Sequence, residues 1–333
     1  MCQDDHFSMQ ADYYVRYRPR YPADLFIYLA SLAPGHELAW DAGTGNGQAA
    51  LGLAVHFSQV VATDASERQI AHAFRHARIR FRVGLVEEVD LERQSVDIIT
   101  SAQSIHWFDL GLFYECVFRV LRPGGLIAVW CYDRTEIDPA IDRIVKSYSS
   151  EIVGPYWPPE IQLVDERYSS LSFPFTEILP PEFACEANWR LEDVVGYLHS
   201  WSSTQAFIEQ QGYDPVDEIR PALAKAWGSP NLDRRVRWPL YMRVGYLPEN
   251  PSVSEPSTLV DSNIDPSGLK AKRLRRTTPD NLAAGSRALA VRARAYNNPR
   301  QAEKILPAFS VPDRYLTCKT GCSQRCSIRA ELD

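Results

Sequence analysis

Residues 41–47, Asp41-Ala42-Gly43-Thr44-Gly45-Asn46-Gly47, combine types and spacing suited to ligand chemistry. A glycine-rich turn between a strand and a helix lets backbone approach a ligand closely, and its N–H groups lie at the positive end of the helix that follows. Dinucleotide sites use G-x-G-x-x-G at such a turn. Here the spacing is G-x-G-x-G, and Gln48 stands where the third dinucleotide glycine belongs. Asp41 adds a negative charge where a pyrophosphate would sit, whereas an aminoacyl sulfonium tolerates it. Asp64 lies 19 residues after Gly45, close to the interval at which an acid meets ribose hydroxyls in such folds. Each residue also has a plainer reading: the loop as an ordinary turn, and Asp64 as a surface cap on the next helix. Gln103-Ser104-Ile105-His106-Trp107-Phe108 is the third segment of interest. His106 is the candidate general base, since an imidazole titrates near neutrality. Ile105 to Phe108 reads equally as a hydrophobic wall carrying one satisfied histidine.

The elements that must position these residues follow from the apolar pattern. From His36 onward short apolar runs alternate with longer amphipathic stretches, the rhythm of a sheet with crossover helices. Strands are expected at Leu38–Trp40, Val60–Thr63, Ile79–Val83, Val96–Ser101 and Leu126–Cys131, with helices at Gln48–Phe57, Glu67–His76 (capped by Ser66) and Leu112–Leu121. Arg122-Pro123-Gly124-Gly125 is read as the turn that closes the last of these helices. Phe183–Trp189 and Arg235–Tyr246 are further strands, separated by helices at Leu191–His199 and Val216–Trp227, with Pro239 expected to bend or bulge the last strand. The fold class is therefore α/β, a doubly wound, mostly parallel, seven-stranded Rossmann-like sheet. Residues 1–247 form its domain, with a leader over 1–35 and a helical cap inserted over 134–180.

Residues 41–47, Val61 to Asp64, Val96 to Phe108 and Leu121 to Gly125 resemble the class I S-adenosylmethionine-dependent methyltransferases, of the type 11 kind. The resemblance extends more narrowly to the trans-aconitate methyltransferase-like subgroup, on the His106-Trp107-Phe108 stretch. Phe7, Ala11, Tyr14, Tyr17-Arg18-Pro19 and Tyr21-Pro22 are similar to that subgroup's leader, which folds over the cofactor. The resemblance implies S-adenosylmethionine as cofactor, with Asp41, Gly43, Gly45 and Gly47 at the methionine part and Asp64 at the ribose. It implies Val86 and Glu87 at the adenine and Gln103 on the methionine side near the sulfonium. Leu85 stands where many relatives place an acid for the adenine amine, which leaves that contact to backbone groups, apolar packing or Glu87. Tyr17, Arg18, Trp107, Tyr156 and Trp201 are the candidates to line an acceptor pocket, each with core or cap packing as its alternative. Ser101-Ala102-Gln103-Ser104 replaces the Asn/Asp-Pro-Pro-Tyr motif of amino-group methyltransferases. A small-molecule acceptor is expected, with oxygen (carboxylate or hydroxyl) ahead of carbon. A nicotinamide-dependent oxidoreductase on a similar sheet and a non-catalytic binding protein are the rival readings.

The totals agree with an enzyme of this size: 333 residues, 45% hydrophobic and 11% aromatic, suffice for a packed core. No run reaches the roughly 18 apolar residues of a membrane span, and the first thirty residues hold no targeting pattern. A cytoplasmic protein with no membrane partner is expected, and oligomeric state stays open. Residues 1–247 carry 22 Lys+Arg against 33 Asp+Glu, so nucleic acid is not an expected partner of the folded part. Residues 248–333 carry 14 against 9, contain none of the eight tryptophans, and read as a basic, disordered tail with one short helix near Asn281 to Tyr296. The run Lys270 to Arg276 is read as solvated, with nuclear entry as its alternative. Cys318, Cys322 and Cys326 lack a fourth ligand, so no metal site is expected.

Overall fold

The computed structural model describes residues 17–247, all within one compact unit. After helix α1 (Ala23–Leu32) the chain alternates strand and helix: β1 (Leu38–Ala42), α2 (Gln48–His56), β2 (Gln59–Asp64), α3 (Glu67–Ala71), β3 (Ile79–Val83), β4 (Val96–Ala102), α4 (Leu110–Val120) and β5 (Leu121–Tyr132). There follow α5 (Pro139–Ser147), α6 (Gln162–Asp165), β6 (Thr176–Ile178), β7 (Phe183–Trp189), α7 (Leu191–His199), α8 (Ser202–Gln211), α9 (Val216–Trp227) and β8 (Arg234–Tyr246). The sheet runs β3-β2-β1-β4-β5-β8-β6, with β7 also on β8. The first five strands are parallel, and β8 is antiparallel to its neighbours.

Alternation along β5 shows how the sheet is buried on both faces. Leu126, Ala128 and Trp130 point into the cluster built with α1, α2, α7 and α9, while Ile127, Val129 and Cys131 point into the one built with α4 and Tyr168. Two-sided burial follows from crossover helices on both faces. The start of β1 is pinned from β4: fully buried Asp97 accepts from the N–H groups of Glu37 and Leu38 at 2.8 and 2.9 Å and meets Arg122 Nη1 at 2.7 Å.

Several expectations need correction. Eight strands occupy the seven positions, because the outer flank of β8 is shared: β7 takes residues 234–240 and β6 takes 244–246. The insertion over 134–180 is thus not wholly helical, since β6 lies inside it. Its helix α5 joins the layer made with α7 and α9 through Ile141 and Val145, while α6 sends Val164 into the opposite cluster with α4. The helix expected to reach His76 stops at Ala71, where the chain turns so that Phe74 N–H can reach Asn46 O at 3.2 Å. Arg122 to Gly125 is counted within β5 but leaves its ladder: β4 pairing passes from Leu121 to Leu126, and Gly124 takes φ 73°, so the expected turn survives as a bulge in the strand. Pro239 keeps its place opposite Ala184 of β7, and β5 pairing has ended one residue away at Leu240. Arg237 exchanges both its bonds with Glu136, so Pro239, two residues on, faces that same side without needing a donor. Phe7, Ala11 and Tyr14 of the leader and everything expected of 248–333 lie outside the described residues.

Candidate functional site

The loop after β1 is built on a buried carboxylate. Asp41 pairs with Thr100 across the β1–β4 ladder and is fully buried. Its two oxygens accept from Thr100 Oγ1 at 2.7 Å and Thr44 Oγ1 at 2.6 Å, which ties the floor of the loop to its rim. Burial pushes the acid up to about 6, against the lowering effect of those hydroxyls.

Gly43, Gly45 and Gly47 all take positive φ, at 68°, 57° and 92°. They differ in what a side chain would meet. A Cβ on Gly43 would lie 2.6 Å from Ser104, and one on Gly47 would lie 2.7 Å from the Phe81 ring. A Cβ on Gly45 would meet nothing within 4 Å. Gly43 and Gly47 are therefore required by packing, whereas Gly45 faces open space. Asp64, ending β2, is tied into the same loop: Oδ2 accepts from Gly45 N–H and Oδ1 from Ser66 N–H, each at 2.8 Å. Burial raises its pKa above the ordinary carboxylate value. Each oxygen retains a second lone pair for a ligand hydroxyl. Two buried amide atoms, Asn46 Nδ2 on the loop and Gln48 Oε1 at the start of α2, have no hydrogen-bond partner among the described residues.

The segment after β4 closes the other wall. Ser104 Oγ meets Ala42 O at 3.0 Å and Ser101 Oγ at 2.8 Å, which brings the segment against the loop. Gln103 sits at φ 56°, and its side-chain amide continues the ladder past the end of β4. Its Oε1 accepts from Tyr132 N–H at 2.9 Å, and its Nε2 donates to Tyr132 O at 3.2 Å. Residues Ile105–Trp107 form a short 3₁₀ turn in which His106 is 6% exposed and Trp107 is 40% exposed. His106 Nδ1 lies 2.9 Å from Tyr168 Oη, and burial pulls the imidazole down to about 4. Val86 is buried in the core, while Glu87 Oε1 accepts from Asp109 N–H, at the N-cap of α4, at 2.9 Å.

The structure thus brings Asp41, the three glycines, Asp64, Gln103 and His106 to the carboxyl ends of β1, β2 and β4, where ligands bind in doubly wound sheets. Arg18 reaches the end of β5, donating to Tyr132 Oη at 3.3 Å and Ser200 O at 3.0 Å. Tyr17 packs on Gly196 of α7, where an added Cβ would come within 2.5 Å of its ring. Tyr156 and Trp201 are used in the helical layer. Tyr156 Oη accepts from Gln211 and its ring lies 4.9 Å from Phe207, while Trp201 is enclosed by Tyr148, Trp157 and Tyr197. Tyr168 was not among the expected site residues. It lies 62 positions from His106 in a turn with no glycine or asparagine to mark it.

Comparison with known proteins decides the family. The methyltransferase domain family matches residues 40–129, from β1 into β5. A Dictyostelium discoideum protein named as a methyltransferase is 33% identical over 246 residues, covering 72% of this chain and 94% of that protein. The chain belongs to the S-adenosylmethionine-dependent methyltransferases. A Mycolicibacterium smegmatis protein named as an S-adenosylmethionine-dependent methyltransferase is 36% identical over 200 residues, 60% of this chain and 69% of that protein. A solved structure from Anaeromyxobacter dehalogenans, named as a type II methyltransferase, is 42% identical with a TM-score of 0.66, covering 70% of this chain and 99% of that chain. The nicotinamide-dependent and non-catalytic alternatives are set aside. The site of this methyltransferase suits its cofactor: open space at Gly45, spare lone pairs on Asp64 and two unsatisfied amide atoms meet a ligand rich in polar groups. Among the described residues no helix is long and apolar enough to cross a membrane.

Proposed function

We propose that this methyltransferase acts on a small molecule and places the methyl on oxygen, a carboxylate ahead of a hydroxyl. The observation that carries the reading is His106, buried beside the glycine loop and held near 4, hence neutral and a weak base at pH 7. An acceptor at this position has to be nucleophilic without deprotonation, and a carboxylate is ionised already. S-adenosylmethionine supplies an electrophilic methyl on a sulfonium. What the protein adds is alignment of nucleophile, carbon and sulfur.

In this reading the backbone at Gly45 and its flanking glycines lies along the methionine part, with Asp41 fixing the loop from below. Asp64 accepts the two ribose hydroxyls while keeping Gly45 and Ser66. Val86 and Glu87 flank the adenine, with Glu87 already engaged at the start of α4. Gln103 holds the methionine side in place through Tyr132. Trp107, half exposed beside His106, and Arg18, at the end of β5, line the acceptor pocket. Tyr17, Tyr156 and Trp201 support it from the helical layer. The test is incubation of metabolite extracts with methyl-labelled cofactor, followed by mild alkali and mass spectrometry. Label in a small molecule, released as volatile methanol, is the expected result. Label fixed on carbon or nitrogen by fragmentation overturns the reading.

A further inference from the structure

Tyr168 is fully buried, and the left-handed backbone at Arg167 (φ 56°) and Tyr168 (φ 58°) is costly for residues with side chains. The surroundings enforce it. Tyr168 N–H donates to Leu163 O at 2.8 Å. Arg243 of β8 donates from Nη1 to the carbonyls of Tyr168 and Leu171, and the same guanidinium holds Glu177 at 2.6 and 2.8 Å. A turn clamped from two sides delivers one polar atom, Tyr168 Oη, to one place, 2.9 Å from His106 Nδ1.

Either group is able to donate in that hydrogen bond, and the surroundings decide which one does. The phenol makes no other hydrogen bond among the described residues, the buried Cys131 thiol beside it included. If His106 donated from Nδ1, the phenolic proton would be stranded in the core without an acceptor. If Tyr168 donates, every buried polar atom of the pair is satisfied. Nδ1 is then the acceptor, and the imidazole proton sits on Nε2, which bonds nothing among the described residues.

We infer that Tyr168 is a positioning residue that fixes His106 as the Nε2–H tautomer, so that the acceptor site presents a hydrogen-bond donor and selects molecules offering an oxygen lone pair over those offering an ammonium group. This rests on the placement of His106 at the acceptor site proposed above. A donor at Nε2 orients a carboxylate oxygen without withdrawing a proton from it, and it clashes with the N–H of an ammonium.

The test uses full-length protein labelled with ¹⁵N-histidine at pH 7 and long-range ¹H–¹⁵N correlation spectra, with the His106 signals identified by their loss in His106→Gln. The expected pattern is a protonated Nε2 and an unprotonated Nδ1; a proton on Nδ1 overturns the inference. Tyr168→Phe is expected to release the proton to both nitrogens, and an unchanged pattern in that variant refutes the role of Tyr168. With S-adenosylhomocysteine present, benzoate is expected to shift the Nε2 resonance and benzylamine is not; the reverse order overturns the selection for oxygen. The wild-type spectrum decides the tautomer even if Tyr168→Phe fails to fold. It needs no turnover, so its outcome is separate from whether labelled esters are found.

Discussion

Substituting His106 by glutamine tests the burial of its ring through the pH dependence of folding. In the folded chain the imidazole is pulled from its ordinary 6.5 to about 4 by desolvation. The unfolded chain takes up the proton near 6.5, so acid favours unfolding. His106 leaves stability untouched above that value and costs progressively more as pH falls towards 4. The gap between 6.5 and about 4 corresponds to about 3 kcal/mol at full extent, most of it reached by pH 4.5. Asp41 acts in the opposite sense. Its folded value is raised from 3.8 to about 6, so the stability it contributes below 3.8 is lost as pH rises through 6. The two nearly cancel in the wild-type protein, which is why the difference between variant and wild type is the informative quantity. Urea unfolding at half-unit steps from pH 7 to 4.5 should show His106→Gln gaining about 2 to 3 kcal/mol relative to wild type, above a constant offset for lost packing. A difference that is flat with pH would refute the claim that folding keeps His106 neutral and dry.

Asp41→Asn should show the opposite slope, gaining on wild type by about 2 kcal/mol as pH rises from 4 to 6, read by the same titration. The loop glycines should separate. Gly43→Ala is expected to lose roughly 2 to 4 kcal/mol to positive φ plus overpacking on Ser104. Gly45→Ala should lose only about 1 to 2 kcal/mol yet weaken S-adenosylhomocysteine binding at least tenfold by calorimetry; equal affinity would mean that the loop does not approach the cofactor. Asp64→Asn, which keeps the shape but removes the charge that holds Gly45 and Ser66, is expected to cost about 1 to 3 kcal/mol in stability and at least tenfold in the same affinity. Unchanged affinity would refute its ribose role.

Much of this arrangement was legible because each local signal matched one element. β1 with its glycine loop, β2 ending at Asp64, the Ser66 cap, α7, α9 and the long β8 all follow from apolar period, turn chemistry or capping residues. β6 escaped notice because three residues carry no period, and its pairing is decided by what β8 leaves uncovered. The end of α3 at Ala71 is a tertiary choice: Phe74 N–H takes Asn46 O in place of a helical carbonyl, and nothing in the residues from Ala71 to His76 marks the stop. At the site, residue types identified Asp64 and His106 but not their partners. That Asp64 already holds Gly45, that the Gln103 amide replaces a missing strand residue, and that His106 leans on a tyrosine from the insertion are contacts across 19, 29 and 62 positions. Two of the positive-φ residues involved, Gln103 and Tyr168, belong to types that do not advertise such a conformation.

The divided flank of β8 decides where the chain can be recut. Ile178 pairs with Val244 and Phe183 with Leu240, so β6 and β7 lie in tandem along one strand, joined by a link whose first residue, Leu179, is 97% exposed. Each piece is held by its own ladder to β8, and the link itself has no place in either. Opening the backbone between Leu179 and Glu182 would leave every rung of the sheet in place, whereas a cut within 43–47 or 167–171 would release strained turns that hold the site. That link is the natural position for new termini in a permuted chain or for a grafted reporter domain.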